Sequence, residues 1–186
     1  MLKTDFKEIL NSQLFKTVGE TADELGLETY AIGGFVRDHL LDRKRKNTDI
    51  DFVVLGSGIK LAQEVQKKLP KATKVQVFKT YGTAMLKWGD ISLELVCALK
   101  ESYTSESRNP EVTEGSLEDD QNRRDFTINA MAISLNKETY GTLLDPFNGL
   151  ADLEKGVLRT PLEPGITYSD DPLRMLRAVR FASQLG

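Results

Sequence analysis

An α+β fold, in which helices flank a sheet, is the fold class that the 186-residue sequence predicts. Leu10, Leu14 and Val18 recur every four residues, a spacing typical of an amphipathic helix near the N-terminus. Short apolar runs separated by glycine predict strands further along the chain. The Gly89-Asp90 pair between two of these runs is a hairpin signal. Helical and strand patterns therefore alternate within one chain of domain size.

Glycine and proline set the element boundaries in the first half of the chain. Gly26 is a stop for the first helix, Gly33-Gly34 separates a short strand from one or two helical turns, and Pro70 ends an amphipathic helix. The helices predicted in this half cover residues 5–25, 35–41 and 59–69. The predicted strands cover residues 29–32, 49–55, 74–78, 83–88 and 91–98.

The second half opens with a polar stretch, residues 100–120, whose Ser, Glu, Asn and Gly content predicts an exposed loop. An apolar run at 126–133 is predicted to be helical, and a strand or hairpin follows at 133–144. After a turn at 145–149 and a short helix, Asp170-Asp171-Pro172 opens the last helix, because proline suits the first helical turn.

Composition excludes several kinds of chemistry. Cys97 is the only cysteine and His39 the only histidine, so a disulfide, a cysteine-rich zinc cluster and a Ser-His-Asp triad have too few residues. A metal ion must then be held mainly by oxygen, which points to a hard ion such as magnesium. No apolar run approaches the roughly 20 residues of a membrane span, and no secretory signal is evident. The net charge of −3 predicts no general attraction to nucleic acid.

The first block of residues with chemical potential is Gly33-Gly34 and Arg37, followed by Asp49 and Asp51. Side chains two apart on a strand share one face, so the two carboxylates repel unless a cation lies between them. A pair of magnesium ions holding a nucleoside triphosphate would meet this need. The glycines allow close backbone approach to phosphate, and Arg37 supplies a planar cation. The alternative is a pair of solvated acids at a strand end.

Two further blocks are rich in arginine. Arg123-Arg124 stands at a predicted helix start, where cations are disfavoured, and is either an anion clamp or a solvated surface pair. Arg174, Arg177 and Arg180 share one arc of the last helix, and a polyphosphate would relieve their repulsion. The alternative is an amphipathic helix with a solvated basic edge. The residues predicted on the roughly opposite side are Met175, Ala178, Val179 and Ala182.

Together these blocks resemble the class II branch of the nucleotidyltransferase superfamily, the tRNA CCA-adding enzymes and bacterial poly(A) polymerases. The similar segments, in chain order, are residues 33–38, 49–51, 123–130, 145–150 and 171–181. The resemblance implies a polymerase-beta-like head with a mixed, mainly antiparallel sheet over residues 1–155. It also implies that residues 156–186 are a linker and the first helix of an all-helical, nucleotide-binding neck, cut short at the end.

The resemblance also implies roles for individual residues. Asp49 and Asp51 would bind magnesium, and Glu94, on a neighbouring predicted strand, is the candidate for a third catalytic acid. The alternative for Glu94 is an acid on the solvated face of the sheet. The implied nucleotide-binding residues are Gly33, Gly34, Arg37, Arg124, Asp171, Arg174, Arg177 and Arg180.

The implied reaction is attack of an RNA 3′-hydroxyl on the α-phosphate of CTP or ATP, with release of pyrophosphate. The expected product is a CCA end on tRNA, made in the cytoplasm and without a membrane partner. No side chain is an obvious general base, so the metal held by Asp49 and Asp51 is expected to help deprotonate the hydroxyl. A poly(A) polymerase using ATP alone and a catalytically idle nucleotide- or RNA-binding module remain open. The basic tract 43–46 is either an RNA contact or a solvated loop.

Overall fold

A seven-stranded sheet is the centre of the computed structural model, which describes residues 2–43, 48–79, 82–102 and 111–185. The strands are β1 (Glu28–Ile32), β2 (Thr48–Leu55), β3 (Gln76–Phe78), β4 (Thr83–Trp88), β5 (Ile91–Cys97), β6 (Leu99–Ser102), β7 (Glu111–Glu114), β8 (Ala132–Ser134) and β9 (Leu143–Leu144). The order in the large sheet is β3-β4-β5-β2-β1-β8-β9, and β6 pairs with β7 separately. Only β2 and β5 are parallel among the paired strands of the described residues. The predicted mixed, mainly antiparallel sheet is therefore confirmed.

Eight α-helices surround the sheet in the described part of the chain. They are α1 (Lys7–Leu10), α2 (Gln13–Leu25), α3 (Gly34–Leu40), α4 (Gly58–Lys68), α5 (Leu117–Asn122), α6 (Gly149–Lys155), α7 (Pro164–Asp170) and α8 (Leu173–Leu185). Gly26 ends α2 in the left-handed conformation, as its position predicts. None of the helices that the structure describes is both long enough and apolar enough to cross a membrane.

The main core lies on one face of the sheet, and β2 shows why. Ile50, Phe52 and Val54 lie two residues apart, so their side chains all enter the same apolar cluster, whereas Val53 belongs to a second one. The ring of Phe15, on α2, lies 6.1 Å from that of Phe52 and 5.2 Å from that of Phe35, on α3. Alternation then sends Asp49 and Asp51 to the opposite face of the strand. The packing of the core therefore decides which face carries the acids.

The predicted loop at 100–120 is wrong over much of its length. Residues 99–102 and 111–114 form the β6–β7 pair, with Leu99 opposite Glu114, and α5 follows. Ser116 begins α5 with a reciprocal capping box to Asp119. Composition misses these elements because backbone hydrogen bonds between two polar strands leave no apolar pattern. Residues 103–110 lie outside the described residues.

The predicted helix at 126–133 is also wrong. A single 3-10 turn, Thr127–Asn129, is followed by β8, whose Ala132 pairs with Ile32 of β1. The run is buried from every side, and a short apolar run carries no period that separates helix from strand. The prediction also missed α7, and it joined α1 and α2 into one helix.

Because α2 packs closely against the backbone after β8, a larger side chain at Gly19 should destabilise the protein. A Cβ atom on Gly19 would lie 2.3 Å from the carbonyl oxygen of Leu135, which belongs to the backbone and cannot rotate away. Gly19→Ala should lower the free energy of unfolding by about 1–3 kcal/mol, although alanine is the better helix former. Chemical denaturation measures this change.

Gly165→Ala is the comparison variant, because the atoms nearest its Cβ belong to the side chain of Glu163, which can move at the cost of its hydrogen bond from the Ile166 N–H. An unchanged or increased stability of the Gly19→Ala protein would contradict the packing of α2 described here.

Candidate active site

Three carboxylates share one face of the sheet where β2 runs parallel to β5. The register places Asp51 opposite Glu94 and Asp49 opposite Ser92, so the predicted third acid does lie beside the Asp pair. Burial raises the pKa of Asp51 above its ordinary value; Asp49 and Asp120 add to the rise and Arg124 opposes it. Burial, with the Asp51 carboxylate, likewise raises the pKa of Glu94. Both shifts mean that burial and the neighbouring carboxylates disfavour the charged forms of Asp51 and Glu94, a penalty that a bound cation would offset.

The donor set at this site fits a hard divalent ion. Asp49 and Asp51 offer carboxylate oxygens, which are the ligands that magnesium prefers. Across the described residues, no group of three or more His, Cys, Asp or Glu side chains is arranged to hold a metal ion. Two carboxylates could hold such an ion if water and substrate phosphates supplied its other ligands, as they usually do for magnesium.

Gly33 brings the backbone between the acids and an arginine. Its φ of +80° is a conformation that other residues rarely adopt, and its N–H donates to the carbonyl of Met131 at 3.2 Å. A Cβ atom here would lie 3.1 Å from Nη1 of Arg124 and 3.6 Å from Oδ2 of Asp51. Only glycine leaves this approach open, so the Gly-Gly turn lies directly beside Asp51 and Arg124, and its contact with a nucleotide stays a prediction.

A cavity of about 620 Å³ opens beside the acids. Its lining includes Gly34, Asp49 and Asp51. His39 of α3 and, from the N-terminal segment, Lys3 and Ser12 also line it. His39 stacks on Phe6, with ring centroids 4.6 Å apart, and its Nε2 lies 3.0 Å from the carbonyl oxygen of Asp5. Space for a ligand therefore adjoins the carboxylates that the sequence singled out.

Arg37 is almost fully buried, and its guanidinium is held by neighbouring side chains. Only 3% of the residue is exposed, and Nε and Nη2 donate to Oδ1 of Asp38 while Nη1 donates to Oδ1 of Asn129. Its guanidinium also lies 5.0 Å from the centre of the Phe181 ring. These contacts tie α3 to the 3-10 turn and α8. Direct contact between Arg37 and a nucleotide stays a prediction.

Arg124 is the predicted cation that stands nearest the acids. Its Nε and Nη2 both lie 2.9 Å from Oδ2 of Asp120. Arg123 donates to the other carboxylate oxygen of Asp120, Oδ1. Burial raises the pKa of Asp120, but Arg124 and Arg123 outweigh it and hold that pKa below the ordinary value. The arginine pair is therefore organised by a buried acid and is not a solvated surface pair.

Part of the basic arc of the last helix contacts the residues around 123–125 and α7, which disfavours the alternative of a fully solvated basic edge. Arg174 donates from Nη2 to the carbonyl of Arg123, at 2.6 Å, and from Nη1 to the carbonyl of Thr167. Arg177 contacts Oδ2 of Asp125 through Nε and Nη2, each at 2.7 Å. Ala178 is partly buried against the core. The prediction that Ala178 lies on the side of the helix opposite the arginines is therefore wrong. The exposed apolar residues of this helix are Leu173, Met175, Leu176 and Val179.

Phe181 explains how a basic arc can face the protein. Its ring packs edge-on against Phe126 with centroids 5.8 Å apart, and the guanidinium of Arg180 lies 4.8 Å from its centre. Arg177 lies 5.4 Å from the same centre. The negative face of an aromatic ring attracts such cations. At the start of the helix, the side chain of Asp171 accepts a hydrogen bond from the N–H of Leu173. The contact of Asp171 with a nucleotide stays a prediction.

Four residues of this network were not predicted as site residues: Asp120, Asp125, Asn129 and Phe181. Asp125 accepts from the side-chain amide of Asn129 as well as from Arg177, and Asn129 in turn holds Arg37. A continuous chain of hydrogen bonds thus runs from α3 to α8. The i,i+4 spacing of Asp120 and Arg124 was a readable signal of their pairing. The contact of Asp125 with a residue 52 positions away had no local signal.

The arrangement combines acids that favour divalent metal with arginines suited to phosphate. Asp49, Asp51 and Glu94 stand on the sheet, and Arg124 faces them across Gly33. A triphosphate carrying divalent ions matches both halves, because the ions neutralise the carboxylates and the arginine binds phosphate oxygens. The geometry therefore suits nucleotidyl transfer.

Comparisons with known proteins agree with this geometry. The family model described as the Poly A polymerase head domain matches residues 29–159. An A-adding tRNA nucleotidyltransferase from Aquifex aeolicus is 47% identical over 160 residues, which make up 86% of this chain and 19% of that protein. A CCA-adding enzyme from Anoxybacillus flavithermus is 38% identical over 172 residues, 91% of this chain and 40% of that enzyme. The chain thus spans between a fifth and two fifths of these relatives.

A solved structure of a tRNA nucleotidyltransferase, complexed with a primer tRNA and an incoming ATP analog, superposes with a TM-score of 0.76. It is 45% identical and covers 89% of this chain and 44% of its own. Members of the family use divalent metal ions. Given the match over most of its length and the shared sheet, the chain belongs to the Poly A polymerase head domain family.

Proposed function

We propose that this chain is the catalytic head of a tRNA nucleotidyltransferase, which adds CCA to tRNA 3′ ends from CTP and ATP and releases pyrophosphate. The observation that supports this proposal most strongly is that Asp49, Asp51 and Glu94 lie on one face of the sheet, with Arg124 opposite. The relatives named as A-adding and CCA-adding tRNA enzymes support tRNA as the acceptor. An idle binding module is disfavoured, because a pure binder gains nothing from two adjacent repelling acids.

Magnesium is the ion we propose for Asp49 and Asp51. When bound, it would supply charge neutralisation and a lowered pKa for the attacking hydroxyl. The protein itself positions the reactants: Gly33 and Gly34 let a triphosphate approach the backbone, and Arg124 binds its oxygens. Arg177 and Arg180, held near Phe181, add positive charge from α8. Catalysis then rests on alignment and electrostatics, as in other phosphoryl transfers.

The proposed domain division places the head at residues 1–155 and the start of a neck at 156–186. The family match to residues 29–159 supports this boundary. So does the change at α8, where apolar residues become exposed while the arginines contact the head. We also propose a cytoplasmic location, as expected for an enzyme that works on tRNA.

The metal assignment predicts the effect of single neutral substitutions. Asp49→Asn and Asp51→Asn should each lower nucleotide addition to tRNA by several orders of magnitude, because each removes half of the carboxylate pair. Single-turnover assays at saturating magnesium measure this loss. Asp90→Asn, an equal change of charge in an exposed turn of the same sheet, should leave the rate unchanged. Near-normal turnover in either site variant would contradict the assignment of Asp49 and Asp51 as metal ligands.

Glu94 tests whether the third acid takes part in the reaction. Glu94→Gln should lower turnover by about tenfold to a hundredfold, because it removes a carboxylate beside Asp51 without changing side-chain size. Ser92→Ala, two residues earlier on the same strand, is the control. Turnover within about twofold of wild type would instead assign Glu94 to the solvated sheet face.

Nucleotide choice is tested by the acceptor and the nucleotide supplied. A CCA-adding enzyme should extend tRNA lacking its end by two residues with CTP alone, and should add one residue to tRNA ending in CC with ATP alone. Addition of a single A only is the second candidate, favoured by the 47% identity to an A-adding enzyme. Long products from ATP on an unrelated RNA would indicate a poly(A) polymerase. Sequencing gels resolve all three patterns.

A further inference from the structure

Asp120 is a fully buried carboxylate, 0% exposed, that the proposed reaction does not use directly. One of its oxygens accepts from Arg123, and the other lies 2.9 Å from both Nε and Nη2 of Arg124. Burying a carboxylate is costly unless charged partners surround it. Among the residues that the structure describes, the two arginines are the charged partners of Asp120, and without them its charge would be buried and unpaired.

The contact with Asp120 fixes the orientation of the Arg124 guanidinium. Nε and Nη2 form the edge that faces Asp120, which leaves Nη1 on the opposite edge. Nη1 has no hydrogen-bond partner among the residues that the structure describes. It lies 3.1 Å from the Cβ position of Gly33, and Oδ2 of Asp51 lies 3.6 Å from the same point. The donor that remains available is therefore the one directed at the turn beside the carboxylates.

Asp120 stands on a firmly anchored element. Leu117 of α5 packs into the apolar cluster that includes Val53 of β2. Gln121 donates from Nε2 to the carbonyl of Ala130, at 2.7 Å, and is itself buried. Ser116 caps the first turn of the helix. These contacts hold the carboxylate at a set place relative to the sheet, so it can serve as a reference point for Arg124.

Without Asp120, the nearest acids for Arg124 would be those of the site itself. Arg124 already acts electrostatically on Asp51 and on Glu94. A guanidinium released from Asp120 would pair side-on with one of these carboxylates, since that geometry is favourable for arginine. Such a pair would occupy an oxygen that a divalent ion needs and would withdraw Nη1 from a phosphate.

We propose that Asp120 is a positioning residue that acts through Arg124. It directs Nη1 of Arg124 toward the triphosphate, and it keeps the guanidinium from pairing with Asp51. The role rests on the proposed function, because it requires a nucleotide and a divalent ion at this site.

The first test measures binding by the whole chain without turnover. Asp120→Asn should weaken the binding of CTP and of ATP by about tenfold or more in isothermal titration with calcium in place of magnesium. Glu118→Gln is the matched control, since it removes the same charge from an exposed position of the same helix. Equal affinities for wild type and Asp120→Asn would overturn the inference and leave the proposed function standing. A wild type that binds neither nucleotide would overturn both.

The second test asks whether the effect passes through Arg124. Binding of Mn²⁺ to the nucleotide-free protein, followed by electron paramagnetic resonance, should weaken in Asp120→Asn. It should recover in Asp120→Asn/Arg124→Ala, because the competing guanidinium is gone. A purely structural role of Asp120 predicts no such recovery, so its absence would contradict the proposal. In the same cycle, adding Asp120→Asn to Arg124→Ala should cause no further loss of nucleotide affinity.

Arg124→Lys decides the question if Asp120→Asn does not fold, as thermal unfolding will report. Lysine keeps the charge but has no planar edge to pair with Asp120 while presenting a further donor. Arg124→Lys should therefore lose about as much nucleotide affinity as Arg124→Ala. Binding equal to wild type would show that orientation by Asp120 is unnecessary and would overturn the inference.

Discussion

Repulsion among carboxylates on one face of β2 and β5 is the constraint on which the rest of this structure depends. Side chains alternate between the two faces of β2. Because Ile50, Phe52 and Val54 enter the core, Asp49 and Asp51 lie on the other face. The parallel register with β5 then brings Glu94 beside Asp51. Stable packing on one side of the sheet thus concentrates negative charge on the other side, where only cations can offset it.

The arginines that can balance this negative charge are themselves paired with other side chains. Asp120 holds Arg123 and Arg124, and Asp125 holds Arg177, so each of these cations is paired with a buried acid. Phe181 adds an aromatic surface for the arginines of α8. Anchored cations lose little further conformational entropy when an anion binds, which is the physical advantage of preorganisation. The same contacts fasten α8 to the head, so packing and electrostatics share their residues.

Local patterns predicted those parts of the fold whose signals are local. β4 was placed to the residue, and β1, β2, β5 and α4 within a residue or two, because glycine, proline and apolar spacing mark them directly. The Gly33-Gly34 turn and the acid pair were found for the same reason. The β6–β7 pair was missed, since its stability comes from pairing between two strands without an apolar pattern. The hairpin predicted at 133–144 is confirmed as the β8–β9 pair, although its first strand begins at Ala132, inside the run predicted to be helical. Membership of the family followed from the motifs and was confirmed by the comparisons.

By itself, the sequence determined the chemistry available to this protein: one histidine and one cysteine leave oxygen ligands and arginines to do the work. It also determined that Asp49 and Asp51 share a strand face, because that relation depends only on their spacing. Tertiary structure alone decided that Arg37 is buried, that part of the basic arc of α8 turns inward, and that Asp120 and Asp125 hold the arginines. These outcomes depend on burial and on contacts as distant as 92 positions, between Arg37 and Asn129. No pattern of neighbouring residues encodes such contacts, because they exist only once the sheet has assembled.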